Sequence, residues 1–113
     1  MPNVFYGTNA DETVPFTDDF QFLYGFGGDD YLSSTNDGVY CELYGGDGND
    51  FLDLVDLSFG LADGGSGNDI IDGTNFFDEL YGGSGNDSIF GGGIADFVDG
   101  GSGNDTIYAN GII

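Results

Sequence analysis

The sequence predicts an all-β protein, a parallel solenoid with two short strands and about 18 residues per turn. Three observations predict it. A hexamer rich in glycine and aspartate recurs at intervals of 18–20 residues, an aliphatic residue lies two positions after most of the closing acids, and a weaker nine-residue unit fits between the hexamers. A repeat unit this short buries its apolar face only by stacking on its neighbours, so the chain is expected to coil.

The hexamer combines conformational freedom with a carboxylate. Four copies carry Gly at the first, second and fourth places and close on Asn-Asp; they occupy residues 45–50, 64–69, 82–87 and 100–105. The copy at 25–30 keeps the first and fourth glycines and the final Asp, and a degraded copy at 7–12 ends in Glu. Glycine permits positive φ and close backbone approach, and Asn tolerates left-handed backbone. The hexamer therefore predicts a tight turn in which carbonyl oxygens converge near a carboxylate.

Almost the whole chain belongs to the repeat. Residues 7–108 divide into eleven consecutive units, nine of them nonamers, with small insertions in the units at 34–44 and 54–63. Only a short lead, 1–6, and a tail, 109–113, lie outside. We therefore expect one domain, 1–113, without a linker.

Each unit ends in a short strand whose middle residue is expected to point inward. These eighth-place residues are all apolar, which predicts a continuous core. They are Val14, Leu23, Leu32, Leu43, Leu52, Ala62, Ile71, Leu80, Ile89, Val98 and Ile107.

The charge balance excludes most functions. The chain has 21 Asp and Glu, no Lys, Arg or His, and a formal net charge of −21. It cannot neutralise phosphates, which excludes nucleic acids and anionic membranes as partners, and no apolar run is long enough for a membrane span. An imidazole base and a Schiff-base amine are also excluded. The single Cys41 excludes an intramolecular disulfide.

These charges predict a metal ion as the missing partner. Strands in a sheet lie about 4.8 Å apart, so stacked turns bring successive aspartates close together, and ionised carboxylates there repel unless cations lie between them. Carboxylate and carbonyl oxygens suit Ca²⁺, whose flexible shell of 6–8 oxygens fits such a site better than the strict octahedron of Mg²⁺. Six stacked turns leave five gaps, hence up to five ions.

The repeats closely resemble the RTX (repeats-in-toxin) nonapeptide, G-G-x-G-x-D-x-U-x with U large and aliphatic. Residues 45–53, 64–72, 82–90 and 100–108 match fully, and 25–33 match with one substitution. The resemblance implies a right-handed parallel β-roll with about four to five Ca²⁺ ions held between neighbouring turns. It also implies a secreted bacterial protein that leaves the cell unfolded by type I secretion and folds on extracellular Ca²⁺.

The resemblance further implies that early backbone positions of each turn and the sixth-place aspartate hold the metal. The residues that carry over are Gly25, Gly28, Asp30, Gly45, Gly46, Gly48, Asp50, Gly64, Gly65, Gly67, Asp69, Gly82, Gly83, Gly85, Asp87, Gly100, Gly101, Gly103 and Asp105.

The opposite edge departs from the pattern. Its sixth places hold Gln21, Cys41, Gly60, Asp78 and Asp96. Bulky Phe76 and Ile94 stand where the fourth-place glycine belongs, and bulky residues resist positive φ. We expect this edge to be mostly free of metal, with Cys41 as a small filler. Apolar side chains are expected to close it, among them Phe16, Phe59, Phe76 and Ile94.

Export and assembly leave alternatives open. Residues 1–6 lack the features of a cleavable signal peptide, and the five residues of the tail are fewer than a type I secretion signal needs. The chain is therefore expected to be a fragment of a larger protein or a small protein exported by another route. Neighbouring domains of such a protein, or end-to-end association of rolls through their terminal turns, are the expected protein contacts.

An alternative function from another class is an adhesive or carbohydrate-binding solenoid. Tyr24, Tyr44 and Tyr81 occupy ninth places and should point outward, where they would form an aromatic face or simply shield one another from solvent. A catalytic role is not expected, because almost every Asp that could serve a glycosidase already belongs to a repeat position. No EF-hand loop is found, and the threonines do not form the outward ladder of an ice-binding solenoid.

Overall fold

Two parallel sheets face each other across a narrow core. The computed structural model describes residues 3–14, 20–33, 40–54, 59–93 and 97–108. Within them the chain forms twelve strands and no helix, and every strand pair is parallel. None of the described residues forms a helix with the length and apolar character that a membrane span requires.

Successive strands alternate between the two sheets. The first sheet contains the odd-numbered strands β1 (Val4–Tyr6), β3 (Phe22–Tyr24), β5 (Tyr40–Asp47), β7 (Phe59–Ser66), β9 (Asp78–Tyr81) and β11 (Phe97–Asp99). The second sheet contains the even-numbered strands β2 (Thr13–Val14), β4 (Tyr31–Ser33), β6 (Phe51–Asp53), β8 (Ile70–Asp72), β10 (Ser88–Phe90) and β12 (Thr106–Tyr108). This arrangement confirms the predicted solenoid.

The strand register follows the repeat spacing. Leu23 pairs with Leu43, which pairs in turn with Ala62, and the same offsets of 20 and 19 residues recur on the second sheet. The insertions at 34–44 and 54–63 therefore lengthen the loops without shifting the apolar ladder. Parallel pairing in register keeps every inward residue above its equivalent in the next turn.

The predicted ladder forms the core except at its C-terminal end. Its first nine members, from Val14 to Ile89, are buried. Val98 is only half-buried against the core, and Ile107 is 46% exposed. Ile107 pairs with Ile89 in β12, which lies at the end of its sheet, and no described residue forms a further turn beyond it.

Two apolar contributions extend beyond the ladder. The strand β1 lies in the predicted lead, where Phe5 pairs with Leu23 and packs partly against the core. Leu54 is fully buried, and a Cβ added at Gly60 would lie 2.9 Å from its Cδ2 atom, so Leu54 fills the space that Gly60 leaves. Leu54 is the first residue of the unit 54–63, which contains an insertion. Because the insertion interrupts the nine-residue period, the repeat pattern did not predict that Leu54 is buried.

The prediction that phenylalanines close the opposite edge is wrong for the two that the structure describes. Phe59 is 45% exposed and Phe76 is 58% exposed. Leu54 and Cys41 already fill the interior at this edge, and the buried Cys41 thiol donates to the Phe20 carbonyl at 3.3 Å. The buried Cys41 agrees with its expected role as a filler. Phe16, Ile94, Asp96 and the tail 109–113 lie outside the described residues.

Candidate metal centre

The hexamer turns stack along one side of the solenoid, which we call the glycine edge: residues 7–12, 25–30, 45–50, 64–69, 82–87 and 100–105. Their backbone turns at the second and fourth places, where Gly65 and Gly67 have φ of +90° and +111°. First-place glycines such as Gly64 do not lie in this left-handed region. Glycine is needed at the first place because it leaves open a space between turns that a side chain would fill.

The closing carboxylate of each turn accepts a hydrogen bond from the turn before it. Asp69 Oδ1 accepts the Asp50 N–H at 2.8 Å, and Asp87 Oδ1 accepts the Asp69 N–H at 2.8 Å. The same bond joins Glu12 to Asp30, Asp30 to Asp50 and Asp87 to Asp105. This ladder fixes one oxygen of each aspartate and aims the other between the turns.

That second oxygen is buried and has no hydrogen-bond partner in four aspartates: Asp30, Asp50, Asp69 and Asp87. A Cβ added at Gly64 would meet both Asp69 Oδ2 and the Gly82 carbonyl oxygen. One added at Gly82 would lie 2.5 Å from Asp87 Oδ2 and 2.6 Å from the Gly100 carbonyl oxygen. Each space thus places a carboxylate oxygen of one turn beside a carbonyl oxygen of the next, with no donor between them.

The electrostatics of the glycine edge favour an added cation. Burial raises the pKa of Asp69 from 3.8 to about 7 and that of Asp50 to about 6, because desolvation disfavours the charged form and neighbouring carboxylates add repulsion. The backbone hydrogen bond to each of them offsets this only in part. The pKa values of Asp30 and Asp87 are raised for the same leading reason.

The donor atoms fit Ca²⁺. Each space offers one carboxylate oxygen and a backbone carbonyl oxygen, and it contains no nitrogen or sulfur ligand. In the described parts of the chain no three acidic, Cys or His side chains converge on one point. A metal ion on this edge would therefore need backbone carbonyl oxygens among its ligands. Oxygen ligands of this kind bind hard cations with a flexible coordination shell, such as Ca²⁺.

A second ladder runs along the fifth places, and the sequence did not reveal it. Asn68 Oδ1 accepts the Asn86 N–H, and Asn86 Oδ1 accepts the Asn104 N–H, both at 2.8 Å. These asparagines do not use the left-handed backbone that their type suggested; Phe26, at φ +71°, is the non-glycine residue that does so among those described. The fifth place thus ties the turns together.

The two ends of the glycine edge differ from its middle. In the first turn the Thr8 N–H and hydroxyl donate to the two oxygens of Glu12, at 2.7 and 2.8 Å, so this carboxylate already has donors. At the other end the three atoms nearest to a Cβ added at Gly100 all belong to Asp105, and the described residues end at 108, before another such turn. Among the described residues, four spaces combine a carbonyl oxygen with an unpartnered carboxylate oxygen, and they begin at Gly25, Gly45, Gly64 and Gly82.

One turn on the alternate edge, the side opposite the glycine edge, also holds a buried carboxylate. Asp78 accepts the Thr74 N–H at 2.7 Å and the Thr74 hydroxyl at 3.0 Å, and it also accepts the Gly60 N–H at 3.1 Å. A Cβ added at Gly73 would lie 2.6 Å from the Gly91 carbonyl oxygen and 2.8 Å from Asp78 Oδ2. The space resembles those of the glycine edge, but here the carboxylate accepts hydrogen bonds from donors of the protein itself.

The structure places all the sequence-predicted metal residues on the glycine edge. Four of the five predicted aspartates share the buried, unpartnered oxygen, and Asp105 lies in the last of the described turns. The Thr74 and Thr8 donors were not predicted from the sequence; the signal they share is Gly-Thr-Asn, which opens both turns, at 7–12 and 73–78.

A family model agrees with this geometry. The RTX calcium-binding nonapeptide repeat matches in four copies, at residues 22–37, 42–54, 63–93 and 90–111. The chain belongs to this RTX family. The RTX matches include the turns with unpartnered aspartates. They leave out the first turn, 7–12, where Thr8 donates a hydrogen bond to the Glu12 carboxylate. Comparisons with curated proteins and with solved structures gave no match.

Proposed function

We propose that this RTX chain is a module that folds on binding Ca²⁺, with the ions held between neighbouring turns of the glycine edge. The observation that carries the proposal is the set of four buried Oδ2 atoms without a donor, each beside a carbonyl oxygen of the next turn. A buried, unpartnered carboxylate oxygen is costly, and a cation is the partner that the chain itself lacks.

The proposed ligands are the sixth-place aspartates and backbone carbonyls of the early turn positions. Gly45, Gly64, Gly82 and Gly100 contribute the carbonyl oxygens that face Asp30, Asp50, Asp69 and Asp87. Bound Ca²⁺ would supply positive charge where the pKa values of these acids are raised. The glycines keep the space open, and the Asp ladder holds each carboxylate in place.

The proposed number of ions is four. Glu12 in the first gap already accepts two hydrogen bonds from Thr8, which leaves four of the five gaps between the stacked turns. Four divalent ions would offset eight of the 21 negative charges. We propose that the alternate edge binds none, because Thr74 and Gly60 donate to the one buried aspartate that is described there.

The module would act outside the cell. RTX repeats are typical of secreted bacterial proteins, and extracellular calcium modules bind with dissociation constants of about 10⁻⁴–10⁻³ M. Such affinity would leave the chain unfolded in the cytosol, as type I secretion requires, and fold it outside. Binding free energy would then become folding free energy. Ile107 and Tyr108 on the exposed last strand would contact a neighbouring domain or a second roll.

Circular dichroism during a Ca²⁺ titration tests the switch, with Mg²⁺ titrated in parallel. We expect β-structure to appear cooperatively with Ca²⁺ and not with Mg²⁺, and calorimetry to count four ions per chain. A chain equally folded in excess chelator would refute the switch. A folded chain that binds no Ca²⁺ would refute the metal centre itself.

A further inference from the structure

Three tyrosines stack along the outer face of the first sheet, apart from the metal centre. The ring centroids of Tyr6 and Tyr24 lie 5.7 Å apart and those of Tyr24 and Tyr44 5.1 Å apart, with planes within 11° of parallel. Phe26 lies beside them, 6.4 Å from Tyr6 and 6.2 Å from Tyr24, and its plane is within 22° of both. The four rings form one near-parallel cluster, which we call the aromatic stack.

Phe26 holds its place in the stack against a conformational cost. It occupies the second place of its turn with φ +71°, whereas the equivalent residues Gly46, Gly65 and Gly83 have φ of +90° to +95°. A bulky side chain in this region is strained, and the burial of its ring does not offset the strain, because Phe26 is 51% exposed. Strain of this kind at an exposed residue points to a functional contact.

The aromatic stack borders a cavity of about 320 Å³ at the point where the first sheet enters the glycine edge. Its lining residues are Asn9, Tyr24, Phe26, Tyr44, Gly46 and Asp47. The exposed Asp47 carboxylate accepts a hydrogen bond from the Ser66 hydroxyl at 2.7 Å, which holds it at the cavity wall. Aromatic rings and an acid therefore face the same space.

Charge complementarity decides the kind of ligand. The chain has 21 acidic and no basic side chains, so its surface attracts cations and repels anions. Ring faces attract cations as well, and a planar guanidinium both stacks on rings and pairs with a carboxylate through two hydrogen bonds. A saccharide platform needs open ring faces lying side by side, whereas Tyr24 has Tyr6 and Tyr44 stacked upon it.

We propose that this cavity binds an arginine side chain of a partner polypeptide. The guanidinium lies parallel to the exposed ring of Phe26, and Asp47 accepts its hydrogen bonds. This interaction site goes beyond the calcium function, and it makes the module an acceptor for a basic segment.

The test uses the full chain in saturating Ca²⁺ and the blocked tripeptide acetyl-Gly-Arg-Gly-amide, with NMR signals of the Tyr24 and Tyr44 rings as readout. We expect saturable shifts, and about tenfold weaker binding of the analogue with citrulline in place of arginine. Phe26→Gly should weaken tripeptide binding about tenfold. This variant keeps the charge and restores the glycine of the other turns, so circular dichroism should show an intact fold.

The control variant is Glu79→Gln, which removes an acid of the first sheet outside the cavity and should leave binding unchanged. Equal binding by wild type and Phe26→Gly would overturn the proposal, since general acidity alone would then explain it. Ring shifts with cellohexaose that depend on Phe26, without any response to the arginine tripeptide, would overturn it in favour of a glycan site. If Phe26→Gly fails to fold in Ca²⁺, the wild-type chain still decides, because equal binding of the arginine and citrulline tripeptides would overturn the proposal.

Discussion

The two edges of the solenoid handle a buried carboxylate in different ways. On the glycine edge Asp69 is held through one oxygen, and the other faces the Gly82 carbonyl without a donor. On the alternate edge Asp78 occupies a similar space, but Thr74 donates to both of its oxygens. One carboxylate keeps an oxygen without a donor, and the other has its donors within the turn.

The difference follows the residue at the second place of the turn and not the edge itself. Thr8 stands at that place in the first turn of the glycine edge and donates to Glu12 as Thr74 donates to Asp78. Glycine at the second place supplies no hydroxyl and leaves the carboxylate available. Under the proposed function, we therefore expect an acid at the sixth place to bind calcium only where the second place lacks such a donor.

The largest expected effect is that of Asp69→Asn, compared with Asp78→Asn. Asp69→Asn keeps an acceptor for the Asp50 N–H but removes the charge between two turns. We expect three bound ions in place of four and a Ca²⁺ midpoint of folding about 10–100-fold higher. Calorimetry and circular dichroism measure the two quantities.

Asp78→Asn should instead keep all four ions. It weakens the hydrogen bonds from Thr74 and Gly60, which lowers the free energy of unfolding by about 1–3 kcal/mol. Because folding and binding are coupled through four ions, that loss moves the Ca²⁺ midpoint only about twofold. Loss of one ion from each variant would show that both edges bind metal.

A smaller effect is expected when a methyl group is placed in the spaces themselves. Neither Gly64 nor Gly73 has positive φ, so alanine adds no backbone strain at either position. In Gly64→Ala the Cβ would enter the space between Asp69 Oδ2 and the Gly82 carbonyl, and we expect one ion fewer and a midpoint about tenfold higher. Gly73→Ala meets a similar clash and should destabilise the fold with four ions still bound. Equal ion counts in the two variants would contradict the assignment of the spaces.

A pH profile tests the buried acids of the glycine edge without mutation. The pKa values of Asp69 and Asp50 are raised to about 7 and about 6 in the fold, above the ordinary 3.8, so the metal-free fold binds more protons than the unfolded chain. Its free energy of unfolding should therefore fall as pH rises from about 4 to about 7. Ca²⁺ needs the ionised acids, so its midpoint should rise as pH falls through the same range. Circular dichroism in excess chelator checks the first trend, because any residual β-structure should increase as pH falls toward about 4. Ca²⁺ titrations across the same pH range check the second, and a midpoint that falls as pH falls would contradict it.

The sequence predicted what depends on the period, and it missed what depends on contacts between turns. The register of Leu23, Leu43 and Ala62 follows from repeat spacing alone, and so does the alignment of the aspartates. The Asn68 ladder and the Thr74 hydrogen bonds arise only once the turn shape places donor and acceptor together. The exposure of Ile107 was missed because a periodic pattern does not show where stacking ends.

The smallest expected effect isolates the hydroxyl that distinguishes the two kinds of turn. Thr74→Val keeps the shape of the side chain but leaves Asp78 without the hydroxyl donor, in a site where Thr74 is 1% exposed. We expect urea unfolding in saturating Ca²⁺ to show a loss of about 1 kcal/mol. The matched variant Thr8→Val should cost less, below about 0.5 kcal/mol, because water reaches the exposed Thr8 and replaces its hydrogen bond to Glu12. If Thr74→Val instead brought a fifth bound ion, the hydroxyl would be what keeps Ca²⁺ away from Asp78, and the second place of the turn would select between metal and hydrogen bond.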